Sequence, residues 1–162
     1  MRSRVMSDAM SQPVDSTVVV RAATPNDLEH VERLLSAAAL PLDGVRDHFD
    51  GFVVAERDGS IVGCAAVERY TSAGLLRSVA VDQSERSKGT GAVLVGQCIA
   101  NAADAGIDTL VLLTTTAERY FPRFGLEVVD RAAVPEAVRE SAEFRGACPA
   151  SATVMRRTIA LS

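Results

Sequence analysis

Tryptophan is absent from this 162-residue chain and aromatic residues make up only 4% of it, so aliphatic side chains must pack its core. Cysteine is scarce and unpatterned: Cys64, Cys98 and Cys148 are odd in number, widely spaced and form no C-x-x-C. That excludes a disulfide framework and a zinc signature, leaves no metal site to assign, and points to a reducing cytoplasm. No apolar run reaches the length of a membrane span, so no membrane partner is expected. Residues 1–16 lack the apolar stretch of a secretory signal; they read as a flexible polar tail carrying Arg2 and Arg4, with Met6 and Met10 as alternative starts. Positive charge is not in excess. Seventeen Lys and Arg face 21 Asp and Glu, a net −4 without a basic stripe, which argues against a nucleic-acid partner. What remains is an ordinary globular composition, 48% hydrophobic and 23% charged, with length enough for one core.

The most informative stretch is a strand that runs into a basic, glycine-punctuated turn that opens a helix. Leu75 to Val81 reads as the strand, Arg86-Ser87-Lys88-Gly89-Thr90-Gly91 as the turn, and the alanine-rich run to Ala105 as the helix. A helix start leaves backbone N–H groups unpaired and carries partial positive charge. Glycines let that backbone approach a ligand closely, and successive N–H groups can cradle a phosphate. Arg86 and Lys88 add full charges. The alternative is a solvated glycine turn that only caps the helix. Two nucleotide turns are excluded by spacing. A P-loop places its lysine after the last glycine, whereas Lys88 precedes both; a dinucleotide fingerprint needs its third glycine two places before Gly96.

Along the chain, Thr17 to Arg21 is a β-branched first strand. Thr24-Pro25-Asn26-Asp27 reads as a helix start with a capping box, followed by Leu28, Val31, Leu34 and Leu35 at helical spacing. Pro41 opens a second short helical piece to about Phe49. Gly51 to Glu56 and Ser60 to Arg69 form a hairpin around Asp58-Gly59, with Gly63 marking a bulge; Leu75 to Val81 completes three antiparallel strands. After the turn and helix, which ends at Gly106, Thr109 to Thr114 is a buried central strand. Ala117 to Phe124 is a short helix, Gly125 to Val129 a strand, Pro135 to Ser141 helical, and Ala152 to Ile159 the last strand. This order means an α/β (α+β) domain with a mixed sheet of about seven strands and helices on both faces.

Arg86-x-x-Gly89-x-Gly91 after a strand resembles the pyrophosphate loop of the GNAT superfamily of acyl-CoA-dependent N-acyltransferases. The element order matches that superfamily across residues 17–162, and Ala117 to Leu126 is similar to its A-x-x-x-[YF]-x-x-x-G-[FL] segment. The resemblance implies acetyl-CoA as co-substrate. It implies that the main chain of Val79, Ala80 and Val81 holds the pantetheine arm, with a backbone N–H there meeting the oxyanion. The amides of Arg86, Ser87, Lys88, Gly89, Thr90, Gly91 and Ala92 would hold the pyrophosphate. Ser87 stands where a glycine is usual, and its hydroxyl is a further donor. Homodimers occur in such families, so a homodimer is a further expectation.

Acyl transfer needs a deprotonated amine, an oxyanion partner and a proton for the leaving thiolate. The tyrosine that acts as thiolate acid in many relatives falls on Phe121 here. Its neighbour Tyr120 either substitutes or packs, and a water or the substrate is the remaining proton source. Glu68 is the base candidate, or an exposed strand carboxylate; His30 is expected at the surface and His48 in a structural role. Leu76 to Val81 resembles the L-R-S-[LV]-A-V strand of glutamate N-acetyltransferase domains, which implies that Arg77 and Ser78 contact the acceptor. Arg77 would clamp a carboxylate bidentately, or face solvent. The blocks Leu113 to Glu118 and Glu143 to Ala152 resemble the arsenic-resistance N-acetyltransferases and add Arg145 as an anion partner. Cys148 is a structural thiol, since one thiol makes a poor metalloid site. The expected activity is acetyl transfer from acetyl-CoA to the amine of a small anionic acceptor, glutamate-like or an arsenic or phosphorus analogue. Acetylation of protein lysine or N-terminal amines, or non-catalytic CoA binding, are the alternatives.

Overall fold

The computed structural model describes residues 17–159; the expected tail at residues 1–16 lies outside them. Apolar alternation builds seven strands: β1 (Val19–Ala22), β2 (Phe52–Arg57), β3 (Ser60–Tyr70), β4 (Ala73–Val81), β5 (Thr109–Thr114), β6 (Glu127–Val128) and β7 (Thr153–Thr158). They form one sheet in the order β1-β2-β3-β4-β5-β7-β6, antiparallel except where β4 meets β5. Helix α1 (Leu28–Ala37) buries Val31, Leu34 and Leu35 on one face, against Val54, Cys64, Ala66 and Ala80. Helix α2 (Thr90–Asp104) buries Leu94, Val95 and Cys98 on the other, against Val53, Ala55, Ala65 and Leu76. Neighbouring residues of a strand thus serve opposite cores, as a period of two requires. A short α3 (Glu136–Arg139) lies between β6 and β7 along the chain.

Several local expectations follow their physics. Asp27 accepts from the Thr24 N–H at 2.7 Å and from Arg21 at 2.8 Å, and these bonds hold its carboxyl down at about 2. Gly63 lies beside a bulge that leaves Val62 without a partner on β2. It also lets α2 approach: a Cβ there would stand 2.9 Å from Leu94 Cδ1. The helix expected from Pro41 to Phe49 is replaced by turns over 43–48 and a 3-10 turn at Phe49–Gly51, because Gly44 takes φ +79°. The helix expected over Ala117 to Phe124 shrinks to a 3-10 turn at Phe121–Phe124, since Pro122 has no N–H to continue it. The strand expected at Gly125 to Val129 is only the two-residue β6.

One feature of the sheet creates a site. β4 and β5 pair only through Ala73, Gly74 and Leu75 with Thr109, Leu110 and Val111. Beyond that point β4 continues to Val81 beside β3, while β5 continues beside β7. The sheet splits into a V, and among the described residues its β4 edge past Leu75 has no strand partner on that side. Alternate N–H and C=O groups of such an edge face the opening.

Candidate functional site

The opening is a groove of about 550 Å³. Leu76, Val79 and Val81 of β4 form one wall and Leu112, Leu113 and Thr114 of β5 the other. Arg86, Ser87, Gly89, Thr90, Gly91 and Ala92 close one end; Leu40, Pro41, Glu143 and Cys148 also line it. The wall of β4 is bent. Arg77 pairs with Ala66 and Ala80 with Cys64, so Ser78 and Val79 together face the single residue Ala65. Ser78 sits at φ +60°, a left-handed conformation that a non-glycine residue adopts at a cost of order 1–3 kcal/mol. A bulge re-aims a strand and breaks its ladder locally, and here it does so midway along the groove.

The glycine turn has the shape of an anion cradle. Ser87 takes φ +72° and Gly89 φ +82°, and Gly89 caps α2. Left-handed residues in a turn aim successive N–H groups inward, and the helix start adds its partial charge. Open space surrounds the Cβ position of Gly89, whereas a Cβ on Gly91 would stand 3.2 Å from the Tyr120 hydroxyl. Glu85 braces the turn, a role the sequence did not reveal. Its carboxylate is 3% exposed and accepts from Arg57 Nε at 2.9 Å and from the Thr90 hydroxyl at 2.9 Å. The Arg57 bond first, with help from Thr90 and Lys88, holds Glu85 below the usual carboxylate range. The Thr90 hydroxyl is therefore engaged, while Lys88 is exposed and 3.8 Å from Glu85.

Tyr120 and Phe121 divide between them what the sequence left open. Phe121 is buried in the α2 core, 7% exposed, though its edge reaches the groove. Tyr120 is half-buried, lines the groove and brings its hydroxyl to Gly91. The Arg123 guanidinium lies 4.3 Å from its ring centre, a cation–π contact that orients the phenol.

Arg77 neither faces solvent nor offers a two-pronged clamp. Its side chain is fully buried. Nε donates to the Ser78 hydroxyl at 2.9 Å, Nη1 to Asp43 O at 2.6 Å and Glu68 Oε2 at 2.7 Å, and Nη2 to Pro41 O at 3.1 Å. Gly44 permits this, because a Cβ there would lie 3.2 Å from Arg77 Nη1. Glu68 is likewise not an exposed strand carboxylate. It is 1% exposed, also accepts from Tyr70 Oη at 2.5 Å, and is not among the groove-lining residues. Burial first, then the Glu68 bond, push the Tyr70 phenol up. His48 stands 3.9 Å from Glu68.

Arg145 is exposed, 3.7 Å from Glu140, and does not line the groove; nor do Ala80, buried against α1, and Lys88. From this region Cys148 and Glu143 reach the groove, and it is Glu143 that opens an irregular π turn over Glu143–Ala147. It is 4% exposed and 3.6 Å from Arg77 Nε. Burial drives its carboxyl up to about 7, against the pull of Arg77. The Cys148 thiol beside that carboxylate is itself pushed up to about 12, by burial first and then by Glu143. Among the described residues no cluster of His, Cys, Asp and Glu is placed to hold a metal, and no helix is long and apolar enough to cross a membrane.

The split sheet thus leaves an apolar groove beside the parallel strand pair, with a helix-start anion cradle at its end. The chain belongs to the acetyltransferase (GNAT) family, whose family model matches residues 19–126. It is 27% identical over 141 residues to the amino-acid acetyltransferase of Neisseria meningitidis, covering 82% of this chain and 32% of that protein. An uncharacterized N-acetyltransferase of Chlorobaculum tepidum is 29% identical over 98 residues, 60% of this chain and 63% of the relative. The chain thus spans about a third of the amino-acid acetyltransferase and under two thirds of the other. In fold it is similar to N-acetylglutamate synthase from Neisseria gonorrhoeae, solved with coenzyme A and N-acetyl-glutamate. The TM-score is 0.77 at 23% identity, covering 91% of this chain and 37% of that one. It is also similar to Rv2747 from Mycobacterium tuberculosis, solved with CoA, with a TM-score of 0.76 at 24% identity, covering 88% and 99%.

Proposed function

We propose that this protein transfers acetyl from acetyl-CoA to the amine of a small, amino-acid-like acceptor, directly and without a covalent enzyme intermediate. The observation that carries it is the groove itself: an apolar slot between splayed strands, ending at left-handed Ser87 and Gly89 on the start of α2. In this reading the β4 edge at Val79 and Val81 holds the pantetheine arm, the 86–92 turn the pyrophosphate, and an edge N–H the oxyanion. Low-identity likeness to amino-acid acetyltransferases supports the acceptor class. We take the acceptor to be glutamate-like on the likeness of the Leu76 to Val81 strand, with arsenic- and phosphorus-bearing analogues in the same class on that of the Leu113 to Glu118 and Glu143 to Ala152 blocks. Such a substrate would give a role in arsenic resistance, and free thiols at Cys64, Cys98 and Cys148 suit the reducing cytoplasm. Four of the five Arg77 N–H groups are engaged, so Arg77 presents at most one donor to that acceptor.

The test is thiol release from acetyl-CoA across L-amino acids and the phosphinic and arsonic analogues of glutamate. Turnover with a member of that panel is expected. Turnover only with protein lysines or N-termini, read by mass spectrometry, would replace the acceptor class, and tight acetyl-CoA binding without any turnover would make the domain a CoA binder. Tyr120 is assigned as the acid for the leaving thiolate, because its hydroxyl is the phenol in the groove. Tyr120→Phe should lower kcat roughly 100-fold with little change in acetyl-CoA affinity, the usual size of a lost general acid. An unchanged kcat would leave Tyr120 a packing residue.

A further inference from the structure

Two carboxylates and one guanidinium are buried together beneath the groove. One cation balances one carboxylate, and geometry decides which. Glu68 holds Arg77 at 2.7 Å and takes a second bond from Tyr70, whereas Glu143 stands 3.6 Å from the same guanidinium. Glu68 is therefore the counter-ion of Arg77. Glu143 is the carboxylate left to exchange a proton, and it alone of the two lines the groove.

We propose that Glu143, on the π turn before β7, is the general base that takes the proton of the acceptor amine. The proposal rests on acetyl transfer in this groove. The amine lone pair attacks the thioester carbonyl carbon, the C–N bond forms, and one N–H proton passes to the Glu143 carboxylate. The C–S bond then breaks with its electron pair on sulfur, the thiolate takes the Tyr120 phenol proton, and the proton held by Glu143 passes through water to the Tyr120 phenolate, so charge and protons balance. The groups facing Glu143 are Arg77 and Glu68 from the two strands beneath, the Tyr70 phenol beside Glu68, and Cys148 from its own turn. His48 reaches this set only through Glu68, at 3.9 Å. With the carboxyl near 7, about half of it is ionised at neutral pH, which suits a base working there.

The test is full-length Glu143→Gln and Glu143→Asp, assayed with acetyl-CoA and whichever panel amine the unmodified protein acetylates. In the unmodified protein, kcat/KM should climb tenfold per pH unit below about pH 7 and level above it. Glu143→Gln should lose at least 100-fold in kcat while binding acetyl-CoA with unchanged affinity, and its residual rate should lose that acid limb. Glu143→Asp should keep the limb with a moved midpoint. Because glutamine matches the neutral form that burial favours, this variant should melt no lower than the parent. A Glu143→Gln variant within threefold of the parent rate, or one that keeps the same acid limb, overturns the assignment while leaving acetyl transfer intact. A parent protein that binds acetyl-CoA but acetylates no amine overturns both.

Discussion

In a Gly91→Leu variant, acetyl-CoA binding should fall at least 100-fold while the fold stands. The backbone does not object, because Gly91 lies inside α2 with ordinary helical geometry, and replacing a helical glycine gains up to about 1 kcal/mol. The objection is spatial. A Cβ there would meet the Tyr120 hydroxyl at 3.2 Å and Val81 Cγ2 at 3.7 Å, and the rest of a leucine would extend into the space between the turn and β4. Gly89→Leu is the informative contrast. Nothing lies within 4 Å of that Cβ, but φ is +82°, and a left-handed L-residue costs about 1–2 kcal/mol. The first variant fills the donor site and the second deforms its cradle, so melting should separate them: Gly91→Leu at or above the parent, Gly89→Leu below. Calorimetric titration with acetyl-CoA gives the affinity. Parent-like binding by Gly91→Leu would move the donor away from this turn.

How much of this was legible in sequence depends on how local each feature is. The turn at Arg86–Gly91, the Asp58-Gly59 hairpin and the Thr24–Asp27 box are short-range patterns, and each lies where its spacing placed it. Strand count follows from alternation. The split between β4 and β5 does not, because it depends on which strand each edge finds after Leu75 and Val111. Arg145 rather than Glu143 stands out in sequence because the irregular turn decides which side chain points inward, and Gly146 at φ +125° belongs to no regular period. The pairing of Glu68 with Arg77 had a usable signal. The short turn after Tyr70 sets Glu68 opposite Leu75 and Ala66 opposite Arg77, so the two charges are diagonal neighbours across the hairpin. A diagonal acid and base on strands that otherwise read as buried point to an internal ion pair before they point to a substrate clamp.

That ion pair carries the other large effect. Arg77→Met should destabilise the protein by about 3–5 kcal/mol, the cost of removing one partner from a buried pair. The loss exceeds that of a surface pair because Arg77 and Glu68 are both essentially buried and two loop carbonyls, of Pro41 and Asp43, lose their donor as well. The loss should also depend on pH. Glu143 is already raised to about 7 in the folded protein, so below about pH 4.5 both folded and unfolded chains carry its proton and it contributes nothing. Between 4.5 and 7 the unfolded chain gives up that proton first, and stability falls as pH rises. Removing Arg77 takes away the largest pull that lowers Glu143, so Glu143 should hold its proton to higher pH and the decline should steepen. Thermal melts of parent and variant at pH 5 and pH 8 test this. The gap in melting temperature should be widest at pH 8, at roughly 10 °C, and should narrow at pH 5. An equal gap at both values would mean that Arg77 matters for packing alone, and that Glu68 and Glu143 do not share its charge.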